Sequence, residues 1–187
     1  MNAPDLEEQT GTMPAAATRV AARRFTPYRG LENGHLQTLA AHFWRRTTHP
    51  ALAEAEEREI EVEPGIRVVA LCSWQRERRE APTLLLVHGL EGSAESRYML
   101  GTAEKALAAG WNAVRLNMRN CGGTEHLGPT LYNSGMSGDV ATVVERLLEA
   151  ERLDRIALVG FSLGGNLVLK MAGELGRRIP SEVRALA

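Results

Sequence analysis

The sequence predicts a doubly wound α/β fold with a mostly parallel sheet. Short apolar runs of strand length alternate with segments in which apolar residues have helical spacing, the pattern of repeated β-α-β units. The run Thr-Leu-Leu-Leu-Val at 83–87 contains no charged residue, as expected of a strand buried on both faces of a parallel sheet. With 187 residues, the chain is long enough for one domain of this kind.

The elements of the first half follow from apolar spacing and turn signals. A helix is predicted where Leu36, Leu39 and Phe43 share one face. Pro64-Gly65 indicates a tight turn between two strands. The predicted elements are a helix at 33–45, strands at 58–63, 66–74 and 83–87, a helix at 95–109 that stops at Gly110, and a strand at 111–116.

In the second half, a glycine-rich loop leads into an amphipathic helix. Between 138 and 150 apolar residues recur at helical spacing, and the negative charge of Asp139 in the first turn suits the helix dipole. The predicted elements are a loop at 117–135, helices at 138–150 and 163–175, a strand at 155–159 and an opening strand at 183–187. We therefore interpret the chain as the N-terminal part of a longer fold, with a mobile tail at 1–24 and one incomplete domain at 25–187.

Charge and composition exclude several classes of protein. The formal net charge is −1 and the isoelectric point lies near 6.5, so the clustered positive excess that nucleic-acid phosphates require is missing. Two cysteines form neither a disulfide framework nor a zinc spacing, which favours reduced thiols in the cytoplasm. No apolar run approaches the roughly 20 residues that cross a membrane. We expect a cytoplasmic protein without a nucleic-acid partner or a transmembrane segment.

One segment carries a chemical signal: Gly160-Phe161-Ser162-Leu163-Gly164 lies between an apolar strand and a helix. A strand that turns sharply into a helix, with a serine at the tip, is the nucleophile elbow of serine hydrolases. Gly160 and Gly164 flank Ser162 at minus two and plus two, where so tight a turn approaches itself and leaves no room for side chains. We predict that Ser162 is a catalytic nucleophile with its hydroxyl lifted out of the sheet.

A serine nucleophile also needs N–H donors that stabilise the oxyanion formed when it attacks an acyl carbonyl. In this arrangement one donor is the residue after the nucleophile, which is Leu163, and the other lies in the loop after an earlier strand. That strand is 83–87, and we predict Leu90 in the following loop as the second donor. A phosphate-binding glycine turn is the alternative, but the motifs G-x-G-x-x-G and G-x-x-x-x-G-K-[ST] do not occur.

The remaining candidate side chains are interpreted as structural. His88 precedes Ser162, whereas the order in such enzymes is nucleophile, acid, histidine, so its ring is expected to support the oxyanion loop. His126 and Glu125 are expected to shape a loop or line a pocket, and Cys121 to pack as a small side chain. No His and no Asp follows Ser162, so the expected base is missing from the chain.

Four stretches carry a family resemblance: Asn33–Thr38, His88–Ser93 with Ser96 and Tyr98, Asn117–Leu127 with Leu131–Gly135, and Gly160–Asn166. Together they resemble the YheT-like branch of the α/β-hydrolases, also called the AB hydrolase 4 or embryogenesis-associated family. The resemblance implies an α/β-hydrolase fold over 25–187 and cleavage of carboxylic esters, including short-chain esters and acylglycerols. It further implies an acyl-enzyme at the predicted nucleophile, a small ester or lipid-like substrate, and no cofactor or metal.

The chain departs from the family pattern at two positions and at its end. Asn120 stands where the family usually has glycine, a mild change because Asn tolerates left-handed backbone angles. Asn133 stands where the family usually has histidine, and it alters the pocket if that histidine lines it. The family supplies its acid after a later strand and its histidine near the C-terminus, and this chain contains neither of those segments. The alternative function is therefore a catalytically inactive fragment, or a binding or assembly protein.

Overall fold

A computed structural model describes residues 25–43 and 50–187 of the chain, and these two ranges belong to two different compact units. The described part of the first unit contains helix α1 (Gly34–Phe43). Asn33 precedes this helix, and its Oδ1 accepts a hydrogen bond from the His35 N–H at 2.9 Å, a typical N-cap contact. Helix α1 confirms the helix predicted at 33–45 as far as residue 43. The predicted tail at 1–24 lies outside the described residues.

The second unit alternates strands and helices in the predicted order. Its strands are β1 (Glu56–Glu63), β2 (Ile66–Ser73), β3 (Thr83–Val87), β4 (Asn112–Asn117), β5 (Ile156–Gly160) and β6 (Val183–Leu186). Its helices are α2 (Pro50–Ala53), α3 (Arg97–Ala108), α4 (Ser137–Glu151) and α5 (Leu163–Leu175), with 3-10 turns at Glu125–Leu127 and Gly176–Arg178.

The six strands form one mixed sheet in the order β1-β2-β4-β3-β5-β6. Strands β4, β3, β5 and β6 are parallel, whereas β1 and β2 form an antiparallel hairpin that adds to β4 in antiparallel orientation. The predicted mostly parallel α/β sheet is therefore confirmed, with antiparallel strands at one edge. Because β3 and β5 are neighbours, the loops that follow them leave the sheet side by side.

Helices cover both faces of the sheet, which makes the fold doubly wound. Side chains alternate along a strand, so Leu85 and Val87 of β3 pack into a core with α4 and α5, while Leu86 faces a smaller core with α3. On β4, the Arg115 side chain is fully buried on the α3 side, where it donates to the carbonyl oxygen of Leu52 at 3.1 Å. The uncharged pattern at 83–87 thus reflects burial on both faces.

The structure corrects some predicted boundaries and adds short elements. Strand β1 begins at Glu56, and α3 begins at Arg97, because the Ser93 carbonyl oxygen accepts the Ser96 N–H in a turn before the helix. The predicted loop at 117–135 contains the 3-10 turn Glu125–Leu127. Elements of three or four residues are too short to show a period in the sequence, which is why these turns and α2 were not predicted.

Candidate active site

The turn between β5 and α5 has the geometry of a strained elbow. Ser162 adopts φ of +52° and ψ of −113°, a region that residues with a side chain rarely occupy. The turn is closed by the Phe161 N–H, which donates to the Val87 carbonyl at 3.0 Å, and by the Gly164 N–H, which donates to the Phe161 carbonyl at 2.9 Å. Ser162 is exposed, so its hydroxyl is accessible at the tip of the turn.

Two glycines make this turn sterically possible. A Cβ atom on Gly160 would lie 2.4 Å from the backbone of Gly164, and one on Gly164 would lie 2.3 Å from the carbonyl oxygen of Val87. Real side chains do not approach backbone atoms this closely. The predicted requirement for glycine at both positions is confirmed. At Gly160 the turn approaches itself, as expected, whereas at Gly164 the close contact is with the backbone at the end of β3.

The N–H of Leu163 opens helix α5 immediately after Ser162. The first N–H groups of a helix have no partner within the helix, and the helix dipole concentrates partial positive charge there. The first turn of α5 contains no acidic residue that would compete for these donors. The start of α5 beside Ser162 is therefore suited to bind a negatively charged oxygen.

The loop after β3 lies directly against this elbow. Gly89–Gly92 form a tight turn, in which the Gly92 N–H donates to the Gly89 carbonyl at 3.0 Å and Glu91 adopts φ of +54°. A Cβ atom on Gly89 would lie 3.3 Å from the Cβ of Ser162. The glycine thus lets the loop that carries Leu90 approach the serine closely.

Hydrogen bonding in this loop singles out the N–H of Leu90. Between residues 89 and 96, all of which the structure describes, every other N–H group donates a hydrogen bond. The acceptors are Tyr98 Oη for Gly89, Tyr132 Oη for Glu91, the Gly89 carbonyl for Gly92, Ser96 Oγ for Ser93, Asn117 Oδ1 for Ala94, Ser93 Oγ for Glu95 and the Ser93 carbonyl for Ser96. The N–H of Leu90 remains available to a ligand, and this residue is 69% exposed.

His88 supports the loop through both ring nitrogens. Nδ1 lies 2.7 Å from the Gly89 carbonyl oxygen, which can only accept, so Nδ1 carries the proton. Nε2 accepts a hydrogen bond from the Met118 N–H at 3.1 Å. Burial disfavours the charged ring and lowers the pKa of His88, against the opposing effect of the Gly89 carbonyl. The ring hydrogen bonds expected of a structural histidine are present, and neither nitrogen is free to act as a base.

The long loop between β4 and α4 is anchored by a buried arginine. The Arg119 guanidinium donates to both carboxylate oxygens of Asp139, at 2.6 and 2.5 Å, and also pairs with Glu63 and with Thr130 Oγ1. The Asp139 carboxylate raises the pKa of Arg119. Asn120 adopts φ of +56°, the left-handed conformation that the family glycine would take. This anchoring positions the part of the loop that carries Tyr132.

The structure shows no chemical role at Ser162 for the other candidates, His126 and Cys121. His126 is exposed on the 3-10 turn 125–127. Cys121 is buried, and burial raises the pKa of its thiol to about 11, which suits a packed side chain rather than a nucleophile. Within residues 50–187, no side chain hydrogen-bonds to the Ser162 hydroxyl. In the described ranges, no three His, Cys, Asp or Glu side chains converge on a possible metal site.

Three side chains at this site have no role predicted from the sequence. Tyr98, Tyr132 and Asn117 accept N–H groups of the loop after β3. Tyr132 is 41 residues from its partner in sequence, and Asn117 is 23 residues from its own. No local sequence pattern predicts contacts between residues so far apart. Tyr98 is nearer, at 9 residues from Gly89, but its hydrogen bond also depends on the fold.

Fold and site together define the class of protein. Residues 82–187, more than half of the chain, match the family described as alpha/beta hydrolase fold, and the chain belongs to this family. The predicted similarity to YheT-like proteins is also confirmed: Escherichia coli YheT is 29% identical over 167 residues, which cover 89% of this chain and 48% of YheT. Human phospholipase ABHD3 is 29% identical over 99 residues, covering 53% of this chain and 24% of that protein. The chain thus spans about half the length of YheT, and a smaller share of ABHD3.

Solved structures support the fold. The Pyrococcus furiosus esterase Pf2001 superimposes with a TM-score of 0.58 at 22% identity, over 76% of this chain and 51% of the esterase. At that identity the likeness concerns the fold alone. In residues 25–43 and 50–187, no helix has both the length and the apolar character needed to cross a membrane.

Proposed function

We propose that the protein is a serine carboxylic-ester hydrolase that acts through an acyl-enzyme on Ser162. One observation carries the proposal: an exposed serine at φ of +52° lies against the loop of Leu90, and the N–H groups of Leu163 and Leu90 have no acceptor within the described loop and elbow. Serine and donors come from neighbouring parallel strands, β5 and β3. This arrangement suits attack on an acyl carbonyl followed by capture of the resulting oxyanion.

The proposed chemistry has two acyl-transfer steps. The Ser162 oxygen bonds to the acyl carbon, its proton passes to a general base, and the carbonyl oxygen becomes an oxyanion that accepts hydrogen bonds from Leu163 and Leu90. Collapse breaks the bond to the alcohol oxygen, and the alcohol leaves with the proton. Water then attacks the acyl-serine ester in the same way, releasing the carboxylic acid and restoring the hydroxyl.

The base for this chemistry is not His88, because both of its ring nitrogens are engaged in hydrogen bonds. In the family that the chain resembles, the base is a histidine near the C-terminus, paired with an acid that follows a later strand. The relative ABHD3 is named a phospholipase, an enzyme that cleaves lipid esters. We propose a substrate of the same broad class of carboxylic esters, namely a short-chain ester or an acylglycerol. The Leu90 side chain, in the loop that lies against the serine, is exposed and offers apolar surface to a substrate. Two buried, unpaired cysteines favour a cytoplasmic location for the reaction.

The test is covalent labelling with a fluorophosphonate probe, which reacts with activated serines. The full-length encoded protein is expected to be labelled, and Ser162→Ala is expected to lose labelling completely. Ser181→Ala is the matched control, because Ser181 is an exposed serine that precedes β6, whereas Ser162 follows the parallel neighbour β5, so the two serines lie at opposite ends of these strands. Equal labelling of the wild type and Ser162→Ala would refute the assignment.

The second candidate is an inactive fragment or a binding protein. It is favoured by the absence of any hydrogen bond between the Ser162 hydroxyl and a side chain within 50–187. Loss of a triad member reduces turnover by roughly 10⁴- to 10⁶-fold, so a chain without a base would retain little activity. Ester hydrolysis by the 187-residue chain, compared with the full-length encoded protein, separates the two candidates. Activity of the shorter chain that requires Ser162 would exclude the inactive alternative.

A further inference from the structure

We propose that Tyr98 and Tyr132 are positioning residues, whose hydroxyl oxygens accept the N–H groups on either side of Leu90 and thereby direct the Leu90 N–H toward the Ser162 site. This inference rests on the proposed function, because it assigns the Leu90 N–H to an oxyanion. Neither tyrosine touches the reacting atoms in the proposal; both act through the loop.

The first step concerns Tyr98, which contacts both halves of the site. Its hydroxyl accepts the Gly89 N–H at 3.0 Å, and its ring packs on Phe161 with the ring centres 4.7 Å apart. Gly89 precedes Leu90, and Phe161 precedes Ser162. A Cβ atom on Gly92 would lie 2.6 Å from the Tyr98 hydroxyl, so glycine there leaves room for this contact. One side chain therefore couples the position of the loop to that of the elbow.

The second step concerns Tyr132, which holds the other side of Leu90. Its hydroxyl accepts the Glu91 N–H at 2.7 Å. Its ring meets the His88 ring edge-on, with the centres 6.3 Å apart and an interplanar angle of 75°. The loop that carries Tyr132 is in turn fixed by Arg119. This second contact reaches the turn from the β4–α4 connection, independently of Tyr98.

The third step follows from the planarity of the peptide group. The Gly89 carbonyl oxygen accepts hydrogen bonds from His88 Nδ1 at 2.7 Å and from the Gly92 N–H at 3.0 Å. In a trans peptide the N–H of the next residue points opposite to that carbonyl, so the direction of the Leu90 N–H is defined as well. With the N–H groups of Gly89 and Glu91 already engaged, the Leu90 N–H is the donor that the turn presents to a ligand.

The kinetic test uses Tyr98→Phe and Tyr132→Phe in the full-length encoded protein. Each variant keeps the ring and loses one hydrogen-bond acceptor, so we expect kcat for ester hydrolysis to fall about 3- to 10-fold with KM nearly unchanged. Tyr28→Phe is the control, because Tyr28 is 81% exposed in the first unit, and kcat is expected to stay within error. A rise in KM at constant kcat, or unchanged kinetics in both variants, would overturn the inference.

Amide hydrogen exchange provides a test that does not depend on activity. In the unsubstituted protein, the N–H groups of Gly89 and Glu91 are expected to exchange with solvent more slowly than that of Leu90. Tyr98→Phe should accelerate exchange at Gly89, and Tyr132→Phe at Glu91. Equal exchange at all three positions of the unsubstituted protein would overturn the inference even if a variant failed to fold. If Ser162→Ala retained full activity, the proposed function would fail instead, while the exchange result would still report on the tyrosines.

Discussion

The elbow at Gly160–Gly164 and the loop at His88–Gly92 leave the sheet side by side, yet they are shaped in different ways. Both contain a non-glycine residue at positive φ, Ser162 at +52° and Glu91 at +54°. In the elbow, that conformation is enforced by backbone packed against backbone around two glycines. In the loop, it is maintained by hydrogen bonds to side chains that come from α3, β4 and the β4–α4 connection.

This contrast separates two ways of building one site. The elbow is fixed by contacts between backbone atoms, both within 160–165 and with the end of β3, so its geometry is expected to be stiff and to fail only when the backbone is displaced. The loop depends on several separate hydrogen bonds, each of modest free energy. Removal of any one of them is therefore expected to loosen the loop only in part. The three predictions that follow test this difference, in order of decreasing expected effect.

Substitution of Gly164 tests the stiffness of the elbow. In Gly164→Ala the added Cβ would lie 2.3 Å from the Val87 carbonyl oxygen and 2.5 Å from that of His88, and neither atom belongs to a flexible side chain. We expect the free energy of unfolding, measured with urea, to fall by about 3 kcal/mol or more, the upper range for overpacking in a core.

The control for that substitution lies in the same helix. Gly173 is exposed in α5 and has no atom within 4 Å of a Cβ built on it. Gly173→Ala is therefore expected to stabilise the protein by up to about 1 kcal/mol, because alanine is the better helix former. Similar unfolding free energies for the two variants would contradict a rigid, sterically defined elbow.

Substitution of Asn117 tests the dependence of the loop on a distant side chain. Asn117 Oδ1 accepts the buried Ala94 N–H at 2.6 Å, and Asn117→Ala leaves that donor without a partner. We expect a loss of about 1–3 kcal/mol in the free energy of unfolding, the cost of a buried unpaired donor. Asn133→Ala removes the same kind of contact, from Oδ1 to the Gly135 N–H, at an exposed site. Water replaces that contact, so the control should change stability by less than about 0.5 kcal/mol.

The smallest expected effect is a dependence of stability on pH through His88. Burial lowers the pKa of this ring below its ordinary value of 6.5, so the unfolded chain takes up a proton at a higher pH than the folded one. The free energy of unfolding is therefore expected to fall as the pH drops below about 6.5. The hydrogen bond from Arg119 lowers the pKa of the Glu63 carboxyl below its ordinary value of 4.5, so its own contribution is lost only at more acidic pH.

His88→Gln isolates that contribution. Urea unfolding at pH 7.0 and pH 5.5 is expected to give a stability advantage of wild type over variant that is smaller at pH 5.5, because only the wild type carries the buried imidazole. Parallel pH profiles for the two proteins would contradict a buried, neutral histidine beneath the loop.

Much of the fold could be predicted because it rests on repeating local patterns. Short uninterrupted apolar runs predict strands β3 and β5, and helical spacing predicts α4 close to its observed bounds. The start of α3 was misplaced because it depends on a turn closed between Ser93 and Ser96. Helix α2 and the 3-10 turns escaped prediction because one turn of helix has no period to detect.

The residues of the candidate site also divide into those that local motifs predict and those that distant contacts determine. Ser162, Leu163 and Leu90 could be chosen from motifs, and the structure brings the loop of Leu90 against the serine, while their catalytic roles stay a prediction. The elbow was readable because the two glycines that permit it lie within two residues of the serine they flank. The side chains that accept the N–H groups of the loop after β3, by contrast, could not be predicted from the sequence of that loop.

Local sequence was enough to indicate a strand, a strained turn and a helix at 156–175, since the glycines that permit the turn lie within two residues of Ser162. The contact of Gly164 with the carbonyls of Val87 and His88 depends on the folded sheet. The folded arrangement decided that β3 lies beside β5, and which hydroxyl and amide groups meet the N–H groups beyond β3. Those partners are separated by 9 to 41 residues. Contacts of that kind form only after the helices have packed on the sheet, because packing is what brings such remote groups within hydrogen-bonding distance.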